Sequence, residues 1–281
     1  MSFERSSGSS LAGNPLDGRV ALITGGARGQ GRSHALTLAA AGADIAICDV
    51  AGPVATIDYP LATADDLAET MRAVEALGRR CVAEIVDVRD LAAMRGFAAH
   101  AAGELGRLDI AVANAGVYSF AANTWELTED QWDVMVDVNL GGVWRTCAAA
   151  VPHIIASGDG GSIVLISSVN GLRGVPGVAH YNAAKHGVVG LTRTLAIELA
   201  PHNIRVNTLH PTAVRTAMVE NDVMPKALAA VEDSGIDLRN LLDVEFLDPR
   251  DVSEAVLWLV SPAAHRVTGI SLPVDAGNLV R

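Results

Sequence analysis

Residues 19–31 read RVALIT and then GGARGQG, and from Ser33 the chain continues SHALTLAAAGA. An apolar β-type run leads into a glycine-rich turn and then into a segment of helical composition. Few folds accept that order. A buried strand that feeds directly into a helix belongs to a crossover unit of a parallel sheet. Gly25, Gly29 and Gly31 let the backbone approach a pyrophosphate, and the helix that follows offers free N–H groups at its positive end. The spacing is G-x-x-x-G-x-G rather than G-x-G-x-x-G. A glycine triplet alone marks only a tight turn; its placement between strand and helix is what points to a dinucleotide.

The same alternation runs on. ADIAICDV is a second strand, ending in Asp49. A helix over DDLAETMRAVEALG ends at Gly78, and a third strand, RRCVAEIVDV, closes with Asp87 and Val88. The segment LAAMRGFAAHAAGELG is helical, and LDIAVANAG is a fourth strand running into Asn114, Ala115 and Gly116. One long helix opens after a Thr128 cap and runs to Ile155, with Asn139 in its middle. SIVLISS is a fifth strand, which delivers Ser167 and Ser168. After a helix that starts near Tyr181, NIRVNTLHP is a sixth strand. A capped helix over DPRDVSEAVLWLVSP and a last strand in GISLPVDAG complete the chain. The fold class is therefore α/β: a single-domain, Rossmann-type, doubly wound parallel sheet of about seven strands with helices on both faces. The domain spans 18–281, after a flexible tail over 1–17.

Composition narrows the function. The chain is 50% hydrophobic yet only 4% aromatic, which suits helices packed closely on a buried sheet. A net charge of −11 without a long basic run argues against nucleic acid or an anionic membrane as partner. Cys48, Cys81 and Cys147 are widely spaced and suggest neither a metal site nor a disulfide framework. They read as small buried hydrophobes in a reducing compartment. No apolar run approaches the roughly 18 residues of a membrane span, and the first residues lack a signal-peptide core. The expectation is a cytoplasmic protein.

The residues that carry chemistry cluster at strand ends, where open α/β sheets bind ligands. Asp49 stands where an acid accepts hydrogen bonds from the adenosine ribose, and its charge repels a 2′-phosphate, favouring NAD. Arg28 points the other way, since it can pair with such a phosphate, or it is a solvated loop residue. Residues 50–64 form an inserted loop beside the adenosine end of the site. Asp87 either meets the adenine amino group or caps the next helix, or does both. Asn139 is bonded locally or anchors a water chain. Tyr181 and Lys185 lie one turn apart on one helix face. A nearby cation favours the phenolate by about 1–3 units, so this tyrosine can exchange a proton with an alcohol. Ser168 can hydrogen-bond to the same oxygen. Thr216 can hydrogen-bond a carboxamide, and residues 215–247 read as a lid of short helices over the substrate.

Five motifs in this order resemble the short-chain dehydrogenase/reductases over most of the chain: TGGARGQG (Thr24–Gly31), ANAG (Ala113–Gly116), Asn139 in VNLGG, Ser168 in SSVNG, and YNAAK (Tyr181–Lys185). Ala113 replaces the usual first Asn of the second motif, and Thr212 follows Pro211 where Gly is commoner. The resemblance implies Asn139, Ser168, Tyr181 and Lys185 as the catalytic set. It places the cofactor on Gly25, Arg28, Gly29, Gln30 and Gly31 in the turn, and on Asp49, Val50, Asp87 and Val88 at the adenosine end. Asn114, Ala115, Gly116, Tyr181 and Lys185 would hold the centre, and Pro211, Thr212, Val214 and Thr216 the nicotinamide end. With the inserted loop, HPTAVRT and the closing LPVDAGNLVR, the chain looks like the carveol dehydrogenase-like, mycofactocin-coupled subgroup. That resemblance implies tightly held, even non-exchanging NAD, a mycofactocin-type redox acceptor and a homotetramer. The expected reaction interconverts a secondary alcohol, carveol-like or otherwise cyclic, and its ketone. Competing readings are an NADP-dependent 3-oxoacyl thioester reductase and a non-catalytic dinucleotide-binding redox sensor.

Overall fold

The computed structural model describes residues 14–222, 224–225, 231 and 235–281. Seven strands form one sheet: β1 Val20–Thr24, β2 Asp44–Asp49, β3 Cys81–Ile85, β4 Ile110–Ala113, β5 Gly161–Ile166, β6 Ile204–Pro211 and β7 Ser271–Val274. Their spatial order is β3-β2-β1-β4-β5-β6-β7, and every neighbouring pair is parallel. The order reverses between β1 and β4, which opens a crevice at their carboxyl ends.

The helices α1 Gly29–Ala40, α2 Ala64–Ala76, α3 Leu91–Leu105, α4 Glu129–Val136, α5 Gly142–Ser157, α6 Ala179–Leu199 and α7 Pro249–Val260 cover the sheet. The central strands are apolar throughout because both faces are buried. In β1, Val20 and Leu22 enter the core under α3 and α5, while Ala21 and Ile23 enter the core under α1 and α7. Caps set the helix starts. Thr63 and Asp66 form a capping box on α2, as do Thr128 with Gln131 on α4 and Asp248 with Asp251 on α7.

Three sequence expectations change. The long helix expected after Thr128 is broken into α4 and α5 by a π turn over Asp137–Gly141, and Asn139 sits inside it. Such turns insert one extra residue into a helix and occur often at functional sites. Asp87 does not cap α3. Asp90 does, accepting from the backbone N–H groups of Ala92 and Ala93, while Asp87 grips the Arg89 guanidinium at 2.6 Å. The packed chain also begins before residue 18. Leu16 is 1% exposed, and its N–H donates to the Ala41 carbonyl at the end of α1. The remainder of the expected tail, 1–13, lies outside the described residues, as do 223, 226–230 and 232–234 of the expected lid.

Replacing Leu16 by Ala should destabilise the protein by about 2–5 kcal/mol, the range for emptying a core leucine site. Urea unfolding checks this; an unchanged midpoint would make residues 14–17 a tail after all.

Candidate active site

The glycine turn leaves β1 and enters α1 with little room. A Cβ on Gly31 would lie 1.9 Å from the Gly25 carbonyl oxygen, and Gly25 itself holds φ +68°. Asn114, at the end of β4, braces this turn: its side-chain amide donates to the Thr24 carbonyl at 2.9 Å and to the Gly25 carbonyl at 3.3 Å. Thr24 Oγ1 in turn accepts the N–H groups of Asn114 and Ala115, both at 3.1 Å. The two strands at the reversal are thereby locked together.

A cleft follows. Gly25, Arg28, Gly29, Gln30, Gly31, Asp49, Val50, Asp87, Val88, Asn114, Ala115, Gly116 and Thr216 all line it. Asp49 closes one end, accepting from Ala27 N–H at 3.1 Å and Ala51 N–H at 3.3 Å. Burial pushes its carboxyl above the usual range, and these N–H groups and the Arg28 charge partly offset that. Arg28 is occupied: its guanidinium donates to the Pro60 carbonyl of the inserted loop. That loop forms the outer wall through Val54, Tyr59, Leu61 and Ala62. The residues fit a dinucleotide. A Cβ on Gly25, Gly26 or Gly31 would come within 3 Å of neighbouring atoms, and the buried Gln30 Oε1 has no partner among the described residues.

At Gln30, Thr216 and Met218 the cleft meets a larger cavity of about 790 Å³. Ser168, Tyr118, Tyr181, Pro211, Thr212 and Val214 line its inner end, and residues 236–246 face them. The two ends of the expected lid segment are joined by backbone bonds: Arg215 N–H donates to the Leu247 carbonyl and Leu247 N–H to the Ala213 carbonyl.

Ser168 and Tyr181 line the inner end of the cavity, and Lys185 and Asn139 are buried nearby. Tyr181 is 9% exposed. Lys185, 3% exposed, donates from Nζ to the Ile166 carbonyl at 2.9 Å. Asn139 is fully buried; its amide donates to the Val117 carbonyl at 3.0 Å and its Oδ1 accepts the Val117 N–H at 3.3 Å. Gly116 lies between them, since a Cβ there would sit 2.8 Å from Asn139 Oδ1 and 3.7 Å from Lys185 Nζ. His210, on β6, holds the Ser168 carbonyl at 2.7 Å and Thr208 Oγ1 at 2.9 Å. Sequence reasoning missed His210 as a brace, although it stands in the quoted HPTAVRT run.

One electrostatic expectation is reversed. Lys185 Nζ lies 5.5 Å from the centre of the Tyr181 ring and spends its bond on a carbonyl. Burial pushes the Tyr181 phenol up to about 12, and the nearby Ser168 side chain offsets part of this. Burial also pushes the Lys185 ammonium down to about 8. At neutral pH the pair is therefore a neutral phenol beside a cation.

The comparisons with known proteins agree on the family. A family model described as enoyl-(acyl carrier protein) reductase matches residues 25–278. The chain is 48% identical to (-)-trans-carveol dehydrogenase of Rhodococcus erythropolis over 274 residues, covering 95% of this chain and 99% of that protein. Among solved structures it is similar to carveol dehydrogenase from Mycobacterium avium in complex with NAD. That pair has a TM-score of 0.90 at 46% identity, covering 95% and 100% of the two chains. A short-chain dehydrogenase from Mycobacterium paratuberculosis bound to NAD gives a TM-score of 0.92 at 43% identity, with the same coverage.

The buried lysine makes a stability prediction. Between about 8 and 10.5 the folded chain has released the Lys185 proton while the unfolded chain still holds it. The unfolded state binds more protons there, so this group makes stability rise with pH across that window. Urea unfolding should show the rise in the wild type and a smaller one in Lys185→Met; equal slopes would place the ammonium in solvent.

Proposed function

The chain belongs to the short-chain dehydrogenase/reductase family, and from that premise we propose that it interconverts a cyclic or terpenoid secondary alcohol and its ketone with NAD. The observation that carries this reading is that Ser168 and Tyr181 together line the inner end of the larger cavity, which adjoins the cleft at Gln30, Thr216 and Met218. The carveol dehydrogenase relatives support the substrate class, and the cavity walls support it chemically: Val175, Val214, Met218, Leu241, Leu242 and Phe246 offer mostly apolar surface.

Bound NAD supplies the acceptor for the carbinol hydride. Ser168 donates to the substrate oxygen and fixes its direction. Tyr181 exchanges a proton with that oxygen: as a neutral phenol it gives its proton to a ketone, and as a phenolate it takes the proton of an alcohol. Lys185, whose hydrogen bond goes to the Ile166 carbonyl, holds the nicotinamide ribose. Asn139 holds Val117, and with it the turn that follows Gly116, and connects Lys185 to water through the π turn. Gly25 to Gly31 cradle the pyrophosphate, Asp49 and Val50 take the adenosine ribose, and Asp87 and Val88 face the adenine. Ala115 and Gly116 support the central riboses, and Pro211, Thr212, Val214 and Thr216 the carboxamide.

Two features favour NAD over NADP. Asp49 brings a carboxylate to where a 2′-phosphate would sit, and like charges in a partly dry site repel strongly. Arg28, the one cation at that place among the described residues, is held by Pro60. The inserted loop over the cleft supports tight, non-exchanging cofactor, which in turn calls for an acceptor of the mycofactocin type. A homotetramer in the cytoplasm belongs to the same proposal.

Tyr181→Phe should retain bound nicotinamide and lose turnover by about 10²–10⁴-fold, the usual size of a proton-transfer contribution. Mass spectrometry of small molecules released from the purified variant checks the first part, and alcohol oxidation the second. Turnover near wild type would remove Tyr181 from the proton path.

A further inference from the structure

The chain contains three tyrosines, and all three meet at this site. Tyr59 stands in the inserted loop, 7% exposed, and its ring lines the dinucleotide cleft. Its hydroxyl oxygen accepts the backbone N–H of Tyr118 at 3.1 Å. The Tyr118 ring meets the Tyr181 ring edge to face, with centroids 5.3 Å apart and planes at 74°. A path of contacts therefore runs from the insert to Tyr181.

Tyr181 and Tyr118 also pack within the core under α3 and α5, so the path adds direction to rings that are already buried. Tyr118 follows Val117, whose two backbone groups are both held by Asn139, so the chain is fixed up to that residue. At Tyr118 the N–H goes to Tyr59. Aromatic pairs in an edge-to-face arrangement attract beyond their buried area, which makes the second contact directional. The first contact depends on the insert being folded against the cleft, where the Arg28–Pro60 bond also holds it.

We infer that Tyr59 is a positioning residue: its hydroxyl fixes the Tyr118 amide, and the Tyr118 ring fixes the Tyr181 ring. Closing the insert over the dinucleotide thus also sets the reacting phenol. This rests on the proposed dehydrogenase reading, in which Tyr181 exchanges the proton. The insert then has a task besides covering the cofactor. A cofactor latch would change nicotinamide content; this tether changes the Tyr181 ring.

Because only three tyrosines are present, a ¹³C-tyrosine-labelled protein gives three ring signals, and Tyr59→Phe leaves two. The expected result is a shifted Tyr181 ring signal, since the Tyr118 ring no longer shields it in one place. The kcat should fall about tenfold with KM within about twofold, the pattern of an interaction used in the reaction and not in binding. An unmoved Tyr181 signal overturns the inference, whether turnover or nicotinamide content changes or not. The wild type alone gives a second test: slow hydrogen exchange at the Tyr118 amide is required, and fast exchange overturns the tether even if the variant fails to fold. Tyr118→Leu should move the Tyr181 signal and leave that of Tyr59 in place. A wild type that oxidises no alcohol would defeat the dehydrogenase reading, while the ring signals would still decide the tether.

Discussion

A lysine ammonium is buried in the middle of this protein, and much of the local architecture follows from accommodating it. Removing such a charge from water costs several kcal/mol, and one carbonyl returns only part of that. Lys185 gives its hydrogen bond to Ile166, the last residue of β5, and its pKa falls to about 8. A core selected for stability alone would carry an apolar residue here. The fold instead brings β5, α6 and the π turn to one point and leaves a cation beside a phenol. Strand order makes this possible, because the reversal between β1 and β4 opens the sheet next to that point.

The cleft shows similar costs at its rim. Ala51 and Thr56 in the insert adopt left-handed backbone with φ 47° and 65°, which is unfavourable for residues with a Cβ. Thr56 Oγ1 is buried without a partner among the described residues. Against these stand Tyr59, packed and hydrogen-bonded to the chain after β4, and the Arg28–Pro60 contact. The insert is thus strained but anchored at both the adenosine and the reaction ends. On the opposite side of the cavity, the backbone of residues 213–215 pairs with Leu247, which ties the segment before α7 to the end of β6.

The sheet, the glycine turn and the Tyr181 helix were legible because each is a local pattern: apolar runs, a breaker, a four-residue spacing. The π turn was not, since one extra residue in a helix leaves the apolar periodicity of 129–155 nearly continuous. Asp87 and Asp90 are both acids just before a helix, and only backbone direction decides that Asp90 is the cap. Leu16 looked like part of a polar tail because a single leucine has no periodicity. Tyr59 and Tyr118 are 59 residues apart and joined through a backbone donor, which side-chain identity does not encode. The charge relation of Tyr181 and Lys185 was read from spacing as direct help; the carbonyl of Ile166 takes the ammonium instead.

The central claim is that a buried phenol and a bound nicotinamide together oxidise an alcohol. The most direct measurement is a single-turnover experiment on freshly purified protein with no nicotinamide added. On mixing with a cyclic secondary alcohol, the near-ultraviolet absorbance of reduced nicotinamide should rise to about one equivalent per loaded site and stop, and the ketone should form in equal amount. Protein that holds nicotinamide yet shows no rise with any alcohol, at neutral or alkaline pH, would contradict the account.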